Sequence, residues 1–79
     1  MTIHIKLYGT LGKHVDGYQS ETGMTCPFEK NETLTNLVQR IGIPLDKIGI
    51  ITINGDMAKA YTKVPDQCQI KIFQPIFGG

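Results

Sequence analysis

Only one stretch of the chain carries an apolar stripe at helical spacing. Leu34, Leu37, Val38 and Ile41 stand at i, i+3, i+4 and i+7, which places them on one side of an α-helix. Thr33 precedes the stripe, and its hydroxyl suits the free amides of a first turn. Arg40 falls in the last turn, where a positive charge matches the helix dipole. Gly42 permits the left-handed residue that ends a helix, and Pro44 prevents its resumption. A chain with one helix has one apolar stripe to bury. The rest of the sequence must therefore supply one apolar surface, and a sheet with a single apolar face does so.

The remaining apolar periodicity is mostly period two. Ile3, Ile5 and Leu7 alternate with His4, Lys6 and Tyr8, the pattern of a strand with one buried face. Met24, Cys26 and Phe28 alternate with Thr25, Pro27 and Glu29. Pro27 has no amide hydrogen, which puts this second strand at a sheet edge. Between them, Gly9 to Thr22 is a long connection, part of it expected to be helical or tucked under by Leu11, Val15 and Tyr18. Ile48 to Ile53 is nearly all apolar and reads as a third strand well inside the sheet. Asn54-Gly55 signals a type I′ hairpin turn, with Met57 to Ala60 as a short return strand. Gln69 to Phe73 is the last strand, with Ile70 and Ile72 facing inward. So much chain separates the first and last strands that they can pair in parallel at the centre. The expected fold is α+β, a ubiquitin-like β-grasp. It has a mixed sheet of four to five strands and one helix on one face. Residues 1–73 form the domain and 74–79 a mobile tail.

Composition narrows the function classes. Eight Lys and Arg balance seven Asp and Glu for a net charge of +1 among 79 residues. That balance argues against nucleic acid or an anionic membrane as partner, since both call for concentrated positive charge. Ile, Val, Leu and Phe together number 22, above the level of chains that stay disordered. Met1 leads straight into a strand pattern rather than a signal peptide, and no apolar run is long enough to span a membrane, so the expected compartment is the cytoplasm. Cys26 and Cys68 read as reduced, buried thiols. With His4 and His14 they match no close-paired zinc spacing, and no metal is expected. His4 and His14 read as surface residues. Asp16, Asp46, Asp56 and Asp66 fall in turns or loops, where Asp serves local hydrogen bonding. No Ser-His-Asp or Cys-His spacing points to a nucleophile. A cofactor pocket with a lid is hard to fit into so short a chain. No catalytic residue is assigned.

The chemistry-bearing feature is the Gly78-Gly79 pair that follows Pro75, Ile76 and Phe77. Without side chains, a glycine backbone passes through channels too narrow for other residues. Pro75 fixes φ near −65° and favours an extended exit from the strand. The carboxyl carbon of Gly79 is open to attack, but a carboxylate is a poor electrophile until it is joined to a leaving group such as AMP. The chain has no phosphate-binding glycine loop, so a partner must bind the ATP.

The sequence resembles the ThiS/MoaD-like sulfur carriers over nearly its whole length. The resemblance lies in Lys6-Leu7-Tyr8-Gly9-Thr10-Leu11, in Thr33-Leu34-Thr35-Asn36-Leu37 with Ile41-Gly42-Ile43-Pro44, in Ile53-Asn54-Gly55 and in Phe73-Gln74-Pro75-Ile76-Phe77-Gly78-Gly79. It implies a carrier that is not itself an enzyme. Gly79 would be adenylated by an ATP-dependent activating enzyme and converted to a thiocarboxylate with sulfur from a donor. Gly78, Phe77, Ile76 and Pro75 would thread the partner's active site. A synthase would then receive the sulfur, for molybdopterin or the thiazole of thiamine. No cofactor is bound; AMP and the thiocarboxylate are transient. The opening is closer to the molybdopterin branch than to the shorter thiamine carriers.

Two positions depart from the family pattern: Gln67-Cys68 stand where a Gly-Asp turn is common, and Phe77 where a small residue precedes the glycines. Phe73 and Tyr8 are expected outside the sheet, with Ile76 and Phe77 nearby and Lys6 and Lys71 on the same face. This makes a docking face for a partner. The free chain is expected to be a monomer. Two other readings use the same residues: a ubiquitin-like modifier linked through Gly79 to lysines, and an interaction module that needs neither glycine.

Overall fold

The computed structural model describes residues 1–75. Five strands and one α-helix follow in the order β1 (Thr2–Leu7), β2 (Met24–Pro27), α1 (Leu34–Ile41), β3 (Ile51–Ile53), β4 (Asp56–Ala58) and β5 (Gln69–Ile72). Two short 3-10 turns, Leu11–His14 and Leu45–Lys47, lie in the connections. The sheet order is β2-β1-β5-β3-β4. β1 and β5 are central and parallel, and the other pairings are antiparallel. β2, with Pro27, lies at one edge, and β3 lies inside the sheet. The expected β-grasp is what forms.

The helix is bounded by the residues that its sequence nominated. Thr33 Oγ1 accepts the Asn36 amide at 3.2 Å, and Gly42 ends the helix at φ 100°. The other free amides of the first turn find backbone carbonyls, Leu34 N–H to Thr62 O and Thr35 N–H to Ala60 O, both at 3.0 Å. Leu34, Leu37 and Val38 are fully buried against Ile3, Ile5, Leu7, Ile70 and Ile72 of the central strands. Ile41, the fourth member of the stripe, is half-buried at the edge of this core. In the long connection Leu11 is buried. Tyr18 puts its hydroxyl on the end of β1, where it accepts the Leu7 amide at 2.7 Å and donates to the Leu7 carbonyl at 3.2 Å. Beyond the last β2 partner of β1, that hydroxyl takes the place of a neighbouring strand.

Four strands differ in extent from the sequence reading. β3 spans Ile51–Ile53 and not Ile48–Ile53. After the turn at Leu45–Lys47, Gly49 N–H donates to Phe73 O at 2.7 Å while Phe73 N–H donates to Ile50 O at 2.8 Å. Two residues thus face one, the arrangement of a β-bulge, and regular pairing starts only after it. The return strand is Asp56–Ala58, because the turn is tight: Asn54 and Gly55 both hold positive φ, 51° and 91°. β2 stops at Pro27 and β5 at Ile72, each one or two residues short. The Asn54 side chain also accepts the Gln69 amide at 2.9 Å, fixing the start of β5.

The turn before β5 keeps its left-handed residue without a glycine: Gln67 sits at φ 56°. An L-residue there costs about 1–2 kcal/mol, against about 0.5–1 kcal/mol of extra unfolded-chain entropy for glycine. Gln67→Gly is therefore expected to raise stability by about 0.5 kcal/mol, read as a higher urea midpoint at unchanged slope. A lowered midpoint would show that the Gln67 side chain contributes more than its backbone costs.

Candidate functional site

The outer face of the sheet gathers the residues that alternate with the core. Lys6 and Lys71 are partners in the β1–β5 register. One step further, the Tyr8 and Phe73 rings stack with centroids 4.5 Å apart and planes 16° from parallel. The Lys6 ammonium lies 5.9 Å from the Tyr8 centroid, within reach of a cation–π attraction. All four sequence-nominated face residues are thus brought together, and all are half-buried rather than fully exposed. Ile50, 44% exposed, extends the apolar surface. With Gly49, Phe73, Gln74 and Pro75 it lines a hollow of about 490 Å³.

Gln74 and Pro75, which the sequence reading assigns to the tail, make close contacts with the body. Gln74 Oε1 accepts from the Thr10 amide at 2.9 Å and from the Thr10 hydroxyl at 3.0 Å. Gly9, at φ 64°, leaves room for the Gln74 side chain, which occupies the space a Cβ would need. On the other side Gly49 lies against the backbone of Gln74 and Pro75. A Cβ there would meet Pro75 Cα at 2.8 Å and Gln74 O at 2.9 Å. The point where the chain leaves β5 is therefore gripped between the turn at Gly9 and the bulge at Gly49. Neither Thr10 nor Gly49 was nominated from sequence. Ile76, Phe77, Gly78 and Gly79 lie outside the described residues.

The other reactive side chains belong to the body of the fold. Cys26 and Cys68 are both free and buried. Burial pushes both thiols up, and for Cys26 the nearby Arg40 only partly opposes this. Neither is held as a thiolate nucleophile. Cys26 pairs with Ile3 on one side of β1, while Cys68 accepts the His4 amide on the other. Two strand spacings, roughly 10 Å, separate them, too far for a disulfide. His4 bonds Thr22 O through Nε2 at 2.9 Å. Among the described residues no group of three or more His, Cys, Asp or Glu could hold a metal ion. No helix among them is long and apolar enough to cross a membrane.

Sequence reasoning also passed over Glu32, one residue before the cap. Its carboxylate is 5% exposed and accepts from Arg40 Nε at 2.9 Å, Arg40 Nη2 at 2.7 Å and Asn36 Nδ2 at 2.9 Å. Arg40 Nη2 also reaches Pro27 O at 3.0 Å, tying the helix to the edge strand. Glu32 lies outside the helix, so no helix-face spacing announced this contact; only Asn36 and Arg40, four apart, share a face of α1.

Comparison with known proteins agrees with this architecture. Two crystal structures from Haloferax volcanii share the fold. SAMP1 superposes with a TM-score of 0.67 at 17% identity over 100% of both chains. The structure titled small archaeal modifier protein 1 gives 0.67 at 16%, covering 95% of this chain and 98% of that one. No curated protein matches the sequence. The family described as Mut7-C ubiquitin matches residues 1–77, up to the residue before the glycine pair. With the match spanning nearly all of the sequence and the β-grasp built as described, the chain belongs to the Mut7-C ubiquitin family.

Proposed function

We propose that this ubiquitin-like protein is a sulfur carrier whose Gly79 carboxyl is activated by a partner enzyme. The observation that carries the reading is the grip on Gln74 and Pro75 at the end of β5, followed within four residues by Gly78-Gly79. The fold fixes where the segment leaves, and the glycines supply a backbone without side chains to present. The carboxylate attacks the α-phosphorus of ATP in the partner, pyrophosphate leaves, and a sulfur nucleophile then displaces AMP. The chain's own part is presentation: the Tyr8–Phe73 stack, with Lys6 and Lys71 beside it, serves as the docking face. An ATP-dependent activating enzyme, a sulfur donor and a sulfur-accepting synthase are the partners, and the acceptor is a molybdopterin- or thiazole-type precursor.

Intact-mass measurement after incubation with an activating enzyme, ATP and a sulfur donor tests this. The expected gain is the mass difference between sulfur and oxygen, localised to Gly79 and absent when Gly79 is deleted. An unchanged mass beside a demonstrably active enzyme overturns the reading. A second reading, a ubiquitin-like modifier, draws on the likeness to a protein titled a small archaeal modifier. It predicts thiol-resistant, higher-mass conjugates that require Gly79.

A further inference from the structure

A second feature at the foot of the carboxyl-terminal segment has a different chemistry from the docking face. A pocket of about 320 Å³ opens beside the Thr10–Gln74 contact, lined by Thr10, Leu11, Lys13, His14, Lys47, Gln74 and Pro75. Lys13 and His14 end one 3-10 turn and Lys47 ends the other, so two separate connections deliver basic side chains to one hollow. No Asp or Glu lines it. The chain as a whole has a net charge of only +1, so this concentration is local and not a general excess. Among the described residues, the one salt bridge is Glu32–Arg40, and neither Lys13 nor Lys47 has an acidic partner. Gln74 adds to the set. Its Oε1 is turned to Thr10, which accounts for the acceptor and leaves the amide Nε2 without a hydrogen-bond partner among the described residues. The hollow therefore offers donors and positive charge and asks for an acceptor with negative charge.

We infer that this pocket receives an acidic side chain of the protein that takes up the carboxyl-terminal segment. The inference rests on the carrier reading only in assuming such a protein. Four residues span at most about 14 Å, so a surface that holds Gly79 lies within that distance of Pro75, which lines this pocket. A carboxylate placed there adds charge complementarity next to the apolar docking face. It fixes the orientation of the segment and speeds encounter rather than supplying most of the affinity.

The test needs no activating enzyme, so its failure and the failure of the carrier reading are told apart. The isotope-labelled full chain is titrated with a hexaglutamate peptide at low salt and followed by NMR. Saturable shifts are expected at Thr10, Leu11, Lys13, His14, Lys47 and Gln74. Lys13→Glu with Lys47→Glu is expected to weaken binding by about tenfold or more, while Lys59→Glu with Lys63→Glu leaves it unchanged. The affinity falls steeply by 0.15 M salt, where the Debye length is about 8 Å. Three results overturn the assignment: shifts spread evenly over all lysines, shifts insensitive to the Lys13/Lys47 pair, or tighter binding of inorganic phosphate to the same residues.

Discussion

Replacing Glu32 with alanine is expected to lower the unfolding free energy by about 3 kcal/mol. The estimate follows from what the carboxylate holds. It is buried and accepts three charge-assisted or amide hydrogen bonds, two of them from one guanidinium. Breaking a buried pair by removing one partner costs about 3–5 kcal/mol. The Arg40 side chain is 31% exposed and recovers some hydration, which places the loss at the lower end. The hydrogen bond from Arg40 is the main reason that the Glu32 carboxyl titrates below its ordinary range, and burial opposes it. A carboxyl lowered in the folded state contributes stability that is present above its unfolded pKa, about 4.3. That contribution is lost as pH falls through the lower folded value. Urea midpoints measured from pH 6 to 3 should therefore show the wild type converging on Glu32→Gln at the acid end. A Glu32→Ala midpoint equal to that of the wild type, or a gap that does not change with pH, would remove the network from the account of stability.

This network also shows where sequence reading stops. The cap Thr33, the stripe and Gly42 were legible because helix signals are local: each acts within four residues of its partner. The Asn54-Gly55 turn was legible for the same reason. The run Ile48 to Ile53 misled because an apolar sequence does not reveal a bulge. Only the two hydrogen bonds to Phe73 separate Gly49 and Ile50 from the regular strand. The face formed by Lys6, Tyr8, Lys71 and Phe73 was legible once the parallel register of β1 and β5 was inferred, since period two then determines which side chains share a side. The grip on Gln74 was not. Thr10 and Gln74 are 64 positions apart, and Gly49 meets Pro75 through backbone atoms that carry no residue-type signal. Local pattern placed the segment at the end of the last strand, but tertiary contact determines how it leaves.

That contact gives the second large effect, Gly49→Ala. Gly49 has no positive φ that would exclude a side chain, so the backbone conformation itself tolerates alanine. The obstacle is space. The added methyl would stand 2.8 Å from Pro75 Cα and 2.9 Å from both Gln74 O and Pro75 N. All three are main-chain atoms that cannot swing aside by changing a rotamer. Either the bulge moves and strains the 2.7 Å bond from Gly49 to Phe73, or Gln74 and Pro75 shift and the bonds to Thr10 lengthen. Overpacking of this kind costs about 1–3 kcal/mol. Under the carrier reading the displaced atoms are those that aim the carboxyl-terminal segment, so the consequence for activation exceeds the loss of stability. A misplacement of about 1 Å at a reacting group costs up to a hundredfold in rate. Under the carrier reading, adenylation of Gly49→Ala is expected to fall by about tenfold to a hundredfold in kcat/KM, while the circular dichroism of the domain is unchanged. The Thr10 amide shift in NMR reports the displacement directly. Wild-type kinetics together with an unmoved Thr10 amide would mean that the exit of the segment is not set at Gly49.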